Sequence, residues 1–154
     1  MLRPILMGLV AGQRSMTPLA ALAGAARNGN LPYDNGPARL MSHPLIAAGG
    51  VALAALEMAG DKMKTAPDRT VSIGLAVRSV NAAYAGAALA PRDKRVLGAV
   101  IAVGAALTSS HAGLAARKWS MRRYGQVPTG FVEDAIVFGS GLAAVSPSLG
   151  SHEA

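Results

Sequence analysis

The chain has 154 residues, of which 51% are hydrophobic and only 15% are charged, against roughly 25% charged residues in an average soluble domain. Its net charge of +7 favours attraction to anionic lipid headgroups, and nucleic-acid binding is not expected because the basic residues are not interleaved with aromatic ones. Cysteine is absent, which excludes disulfides and Cys-based metal or redox chemistry.

Small side chains dominate the apolar residues, since aromatic residues make up only 4% of the chain. Small residues four positions apart let membrane helices approach closely. Such pairs are Gly8/Gly12, Gly50/Ala54 and Ala82/Gly86. The composition therefore predicts an all-α fold, a polytopic membrane helix bundle that forms one integral membrane domain over residues 1–154. An alanine-rich soluble helical protein is the alternative that the composition leaves open.

Five apolar segments approach the length of about 20 residues that crosses a bilayer. In chain order they are Ile5–Ala26, Pro44–Lys62, Val71–Ala90, Val96–Ala116 and Phe131–Ser146. The fourth is the clearest, because its 21 residues include no Asp, Glu, Lys or Arg. The first and third reach spanning length only by accepting Arg14 and Arg78. The segment Ser120–Thr129, which contains Gly125 and Pro128, is predicted to be the last loop.

The basic residues of the connections indicate an orientation. With the N-terminus inside, five spans place eight Lys and Arg residues on the cytoplasmic side and five on the other side. The cytoplasmic group is Arg3, Lys62, Lys64, Arg69, Arg117, Lys118, Arg122 and Arg123. We therefore expect a multi-pass protein of the cell inner (cytoplasmic) membrane, with its N-terminus inside and its C-terminus outside.

The first and third segments resemble each other. The matching blocks are Gly8-Leu9 with Gly74-Leu75, Arg14-Ser15 with Arg78-Ser79, and Ala20–Ala26 with Ala82–Ala88. Part of this similarity follows from the abundance of Ala and Gly. A genuine repeat with one span between its halves would be parallel, as in some transporters. Both arginines would then enter from the same membrane face.

Charged and polar residues inside the apolar segments are the candidates for function, because ionisable groups within a membrane normally face a bundle interior or an aqueous cavity. The candidates for handling a ligand or ion are Arg14, Glu57, Asp61, Arg78, Asn81, His111, Glu133 and Asp134. Five spans place the charged members and His111 in one half of the membrane, which predicts a one-sided charged vestibule. Arginine pairs bidentately with carboxylates and grips phosphate with the same geometry. We expect Arg14 and Arg78 to lie near Glu57, Asp61 or Glu133.

Structural roles are the alternative for each candidate. Glu133 and Asp134 suit the positive N-terminus of the fifth helix. His111, which follows three hydroxyl residues, suits a hydrogen-bonded packing role. Arg14 and Arg78 suit ion pairs that only hold helices together. Pro18 has no N–H to donate to the carbonyl of Arg14, which predicts a weak or broken helix there.

Three groups of residues carry a resemblance to a known family. They are Gly8-x-x-x-Gly12-Gln13-Arg14-Ser15-Met16-Thr17-Pro18, then Glu57-x-x-x-Asp61-Lys62 with Thr65-x-Pro67-x-Arg69-Thr70, then Val132-Glu133-Asp134. In order and type they resemble an uncharacterised family of small bacterial integral membrane proteins, domain of unknown function 4126. The resemblance covers most of the chain. It implies a multi-span membrane protein and carries no activity, substrate or catalytic residue.

Enzyme signatures are absent from the sequence, so we expect a protein that is not an enzyme and has no cofactor or metal. The first functional hypothesis is a transporter-like homo-oligomer that admits an anionic small molecule, a lipid headgroup or an ion to the vestibule. The second is a structural or accessory subunit whose arginine–carboxylate pairs hold helices or dock a larger membrane complex. A water-accessible cavity beside the arginines favours the first, and direct dry ion pairs favour the second.

Overall fold

A computed structural model describes residues 1–31, 36–60 and 72–146, and within these ranges it contains seven α-helices, one 3-10 turn and no strand. The helices are α1 Leu2–Gln13, α2 Thr17–Arg27, α3 Gly36–Met41, α4 Pro44–Gly60, α5 Ser72–Ala88, α6 Arg95–Tyr124 and α7 Gln126–Val145. The 3-10 turn, Arg92–Lys94, leads directly into α6. The predicted all-α class is confirmed.

The first apolar segment is not one helix. Helix α1 ends at Gln13, α2 begins at Thr17, and Arg14 between them has an extended backbone with φ −138° and ψ 111°. The interruption follows from Pro18, which lies in the first turn of α2 and has no N–H to continue the ladder of α1. The prediction of a single span from Ile5 to Ala26 is therefore wrong.

Helices α1 and α2 form an antiparallel hairpin. Arg3, near the start of α1, donates a hydrogen bond to the carbonyl of Ser146 at 2.9 Å. Asn28, just after α2, lines a cavity together with the same Ser146. Arg14 instead reaches Asp134, three turns back along α7. The two helices therefore start and finish at one end of the bundle, and we call residues Arg14–Met16 the hairpin tip.

Small residues bring α1, α5 and α6 into close contact. A Cβ atom at Gly8 would overlap the backbone carbonyl of Ala102, and one at Gly86 would overlap the carbonyl of Gly98. Only glycine permits these backbone approaches, which is the packing expected of small-residue pairs in membrane helices. The pairs identified in the first and third segments therefore lie in this interface.

The same contacts fix the helix directions. From Gly8 to Gly12, the neighbouring residue on α6 moves forward from Ala102 to Ser110. On α5, Gly86 lies level with Gly8, because both glycines pack against Ala102, whereas Arg78 lies level with Gly12 and contacts its carbonyl. The neighbouring residue on α5 therefore moves backward along the chain. Helix α1 is therefore parallel to α6 and antiparallel to α5. The predicted parallel relation between the first and third segments is wrong, because the chain turns back at the hairpin tip.

The two ends of the described chain meet at one end of the bundle, where Arg3 contacts Ser146. The expectation of termini on opposite sides is therefore wrong. Arg3 and Arg117 were both assigned to the cytoplasmic side, but they lie at opposite ends of the bundle. The predicted division of the basic residues, eight on the cytoplasmic side and five on the other, therefore no longer holds. The predicted loop Ser120–Thr129 is also wrong, because only Gly125, at φ 86°, separates α6 from α7.

One helix passes a test of length and apolar character for crossing a membrane. It covers Arg92–Tyr124, including the 3-10 turn, and no other helix in the described ranges passes. Pro44–Ala59 is apolar but shorter. The largest side chains of the hydrophobic core are those of Met7, Leu22 and Leu89, which are almost completely buried.

Candidate functional site

The hairpin tip lies in the interior of the bundle, since Arg14 is 2% exposed and Ser15 is 8% exposed. The interruption leaves the last carbonyls of α1 and the first N–H groups of α2 without intrahelical partners. Buried backbone groups need other hydrogen-bond partners, because leaving them unsatisfied costs about 1–3 kcal/mol each. Side chains from the four long helices α4–α7 supply these hydrogen-bond partners or place a charged group beside the hairpin tip.

Glu57 on α4 caps α2. Its Oε1 accepts hydrogen bonds from the Ser15 N–H at 2.8 Å and from the Ser15 hydroxyl at 2.7 Å. Its Oε2 accepts from the Met16 N–H at 2.8 Å. A carboxylate is favoured at this position by the free N–H groups and by the positive end of the helix dipole. Glu57 therefore fills the anion position at the start of α2 with a group of the protein itself.

Arg14 forms an ion pair with Asp134 on α7, through its Nη2 and the carboxylate Oδ1. The arginine side chain is 3% exposed and the aspartate side chain is 15% exposed. Asp134 was not among the partners expected for Arg14, which were Glu57, Asp61 and Glu133, and the structure adds it to them. The reason is the antiparallel packing of α7 against α1, which places Asp134 level with the end of α1.

Arg78 and Asn81 on α5 bind carbonyl oxygens at the hairpin tip. Arg78 Nη1 donates to the carbonyl of Gly12 at 3.0 Å, and Asn81 Nδ2 donates to the carbonyl of Ser15 at 3.0 Å. A cation is favoured at the end of α1, where helix carbonyls lack intrahelical partners. Arg78 therefore contacts the backbone at the end of α1, its predicted proximity to Glu57 or Glu133 stays a prediction, and Asp61 lies outside the described residues.

Sequence reasoning missed three polar residues of the site. Ser110 donates to the carbonyl of Gly12 at 3.0 Å, and Ser109 donates to the carbonyl of Leu9 at 2.7 Å. Gln13 Nε2 donates to the backbone carbonyl of Ser109 at 2.7 Å. Hydroxyl groups inside an otherwise apolar helix were the available signal, because such groups hydrogen-bond across membrane helices.

Glu133 lies one residue before Asp134 and contacts Arg117 on α6. Its Oε2 is 3.8 Å from Nη1 of Arg117, and both side chains are about 15% exposed. The two residues line a partly open cleft of about 640 Å³ between the second half of α6 and the first half of α7, and Gln13 also lines this cleft. The cleft therefore lies directly beside the hairpin tip.

His111 is not part of this cluster. It follows Ser110 on α6 and is exposed, since successive helix residues point about 100° apart. Across residues 1–31, 36–60 and 72–146, no group of three or more His, Cys, Asp or Glu residues is arranged to hold a metal ion. The structure thus brings together Arg14, Glu57, Arg78, Asn81 and Asp134, with Glu133 next to them.

The family described as domain of unknown function DUF4126 matches residues 4–150. The match covers nearly the whole chain, so the chain belongs to this family, and the resemblance drawn from the sequence motifs is confirmed. No curated protein and no solved structure matches the chain.

Proposed function

We propose, with membership of this family as the premise, that the chain is a multi-pass protein of the inner (cytoplasmic) membrane. Its transporter-like function is to bind an anionic small molecule, a lipid headgroup or an ion at a one-sided charged site. The site comprises the hairpin tip and the adjoining cleft between α6 and α7. The burial of a broken helical hairpin among polar side chains from α4, α5, α6 and α7 is the observation that carries the proposal.

The apolar surface supports the membrane part of the proposal. Leu45, Ile73 and Val96 on three different helices are 77%, 74% and 79% exposed. Large apolar side chains on the outside of several helices are expected where lipid tails surround them. Only 28% of the apolar window of α6 is buried inside the protein, whereas the core helix of a soluble protein is mostly buried.

The length of α6 also supports it. The uncharged run Val96–Ala116 has 21 residues, about 32 Å at 1.5 Å per residue, close to the hydrocarbon thickness of about 30 Å. Basic residues flank this run at both ends, and the exposed Trp119 and Tyr124 follow it. Aromatic and basic residues at this position are typical of the membrane interface.

The hairpin supports the ligand-binding part. Helix α1 has 12 residues, about 18 Å, and is too short to cross a bilayer alone. Broken helices at membrane depth occur where the break is buried in protein or lines a cavity, and transporters bind substrates and ions at such breaks. The break in this chain has both features, because the hairpin tip is buried and the cleft of about 640 Å³ adjoins it.

A second candidate function is a structural or accessory membrane subunit. The direct contact between Arg14 and Asp134 favours it, because Arg14 is 2% exposed and the pair is largely removed from solvent. In this alternative the charged residues only hold the hairpin in place. The ion pair would then have no relation to any ligand.

Thermal unfolding of the purified chain in detergent distinguishes the ligand-binding function from the structural one. Arg14→Gln should lower the stability by leaving Asp134 buried without its ion-pair partner, and adding Asp134→Asn should restore much of it. Wild-type and variants are then heated with inorganic phosphate, glycerol 3-phosphate or added phospholipid. The proposed function requires stabilisation of the wild type by at least one of these probes. Rescue by Asp134→Asn without any response to the probes would leave the structural subunit as the function.

A further inference from the structure

The last turns of α6 carry an exposed surface of basic residues around one tryptophan. We call it the basic surface, and it comprises the exposed residues Lys118, Trp119, Arg122 and Arg123. We propose that the basic surface binds the headgroups of anionic phospholipids in the membrane leaflet that surrounds it. This inference goes beyond the ligand proposed for the hairpin tip and rests only on the membrane part of the proposed function.

The basic surface occupies one face of α6. Because successive helix residues are about 100° apart, its four positions fall within an arc of about 140°. Ser120 and Tyr124, which line the cleft between α6 and α7, lie outside this arc. The basic surface is therefore separate from the cleft, in which Arg117 pairs with Glu133.

Arg122 and Arg123 carry positive charges that no carboxylate of the described residues neutralises. Arg122 Nε donates to the carbonyl of Lys118 at 3.2 Å, and the guanidinium of Arg123 lies over the ring of Tyr124, 6.0 Å from its centroid. Neither contact supplies a negative charge. Clusters of basic residues that directly follow a membrane helix attract anionic lipid headgroups, so the charge of this surface is complementary to such lipids.

The length of α6 places the basic surface at the level of the headgroups. Helix α6 has 30 residues, about 45 Å at 1.5 Å per residue, which matches the thickness of about 40–45 Å of a bilayer with its headgroup regions. The uncharged run Val96–Ala116 accounts for the hydrocarbon core, and the basic surface begins two residues after it. Trp119 is 60% exposed and supports this level, because tryptophan is enriched at membrane interfaces.

The side chain of Arg122 leans back toward the membrane. Its Nε contacts the carbonyl of Lys118, one turn closer to the apolar run, as expected because helical side chains tilt toward the N-terminus of their helix. Lipid phosphates are always present at this level, whereas a soluble polyanion such as nucleic acid would have to displace them. The position and direction of the basic side chains therefore favour lipid headgroups over nucleic acid.

Fluorescence of Trp119 tests the inference at the surface itself, because it is the single tryptophan of the chain. The full chain is reconstituted into phosphatidylcholine bilayers that contain a fixed mole fraction of a lipid with brominated acyl chains, which quench nearby tryptophan. The brominated lipid is either phosphatidylglycerol or phosphatidylcholine. Brominated phosphatidylglycerol should quench Trp119 more strongly, and raising the salt from about 0.05 M to about 0.5 M should reduce this preference.

Arg122→Gln and Arg123→Gln should each lower the relative affinity for phosphatidylglycerol by about fivefold. Lysine at both positions keeps the charges and should retain the preference. Arg95→Gln is the matched control, because Arg95 is also exposed and also donates from Nε to a carbonyl of α6's first turns, that of Arg92 at 3.3 Å. It lies at the opposite end of α6 from Trp119. An equal loss of preference in Arg95→Gln would overturn the inference.

The failure of this inference is distinguishable from the failure of the proposed function. If both brominated lipids quench Trp119 equally, the chain lies in the membrane and the anionic preference is wrong. If neither lipid quenches Trp119 but soluble iodide does, the surface lies outside the membrane, and the membrane part of the proposed function is wrong as well. Displacement of brominated phosphatidylglycerol by a single-stranded oligonucleotide would assign the surface to nucleic acid instead.

Discussion

Glu57 and Ser15, 42 positions apart in the chain, are joined by two hydrogen bonds to one carboxylate oxygen, from the N–H and the hydroxyl of Ser15. The other oxygen of Glu57 accepts the N–H of Met16. Through these bonds α4 holds the start of α2 and therefore the position of the hairpin tip. The carboxylate performs here the role that a capping side chain normally performs from within the same helix.

Removing this cap should destabilise the protein. Glu57→Ala is expected to cost about 2–4 kcal/mol, because it leaves two buried N–H groups and a hydroxyl without their acceptor. Glu57→Gln keeps one acceptor oxygen and should cost less. The measurement is thermal or denaturant unfolding in detergent. Asp93→Asn, at an exposed acidic residue, is the control and should change nothing. Equal unfolding temperatures for Glu57→Ala and this control would refute the capping role.

The close approach of α1 to α6 can be tested with two matched glycine substitutions. Gly8→Ala should destabilise the chain by roughly 1–3 kcal/mol, since its Cβ overlaps the backbone of Ala102. Gly104→Ala lies on α6 with open space around its Cβ, so it should be neutral or stabilise the helix by up to about 1 kcal/mol. Comparing their unfolding temperatures checks the packing. A Gly8→Ala protein as stable as Gly104→Ala would contradict it.

The hairpin predicts which residues share a side of the membrane. Because the chain has no native cysteine, single cysteines can be introduced at Leu2, Asn28, Ser42 and Ser120. Leu2, Asn28 and Ser42 should react with a membrane-impermeant thiol reagent from one side, and Ser120 from the other. Labelling of intact cells and of inverted vesicles measures this. Opposite labelling of Leu2 and Asn28 would mean that the first segment crosses the membrane completely.

Several features follow from local sequence alone. Apolar run lengths and turn formers predicted helices close to the observed α4, α5 and α7, because helix formation depends mainly on neighbouring residues. Pro18 predicted a disturbance near Arg14, because a missing N–H acts within one turn. The motif containing Arg14 and the pair Glu133 and Asp134 also identified the family without a structure.

The tertiary structure decided how these parts are joined. Whether the chain continues or turns back after Arg14 depends on contacts of α2 with α4 and α7, which lie far along the sequence. Because the chain turns back, Asp134 lies beside Arg14 and Glu57 caps α2. Local periodicity contains no information about such choices, because several carboxylates of similar depth can each pair with one arginine. Packing of the small residues between α1, α5 and α6 favours the observed register, since glycines lie where the backbones approach most closely.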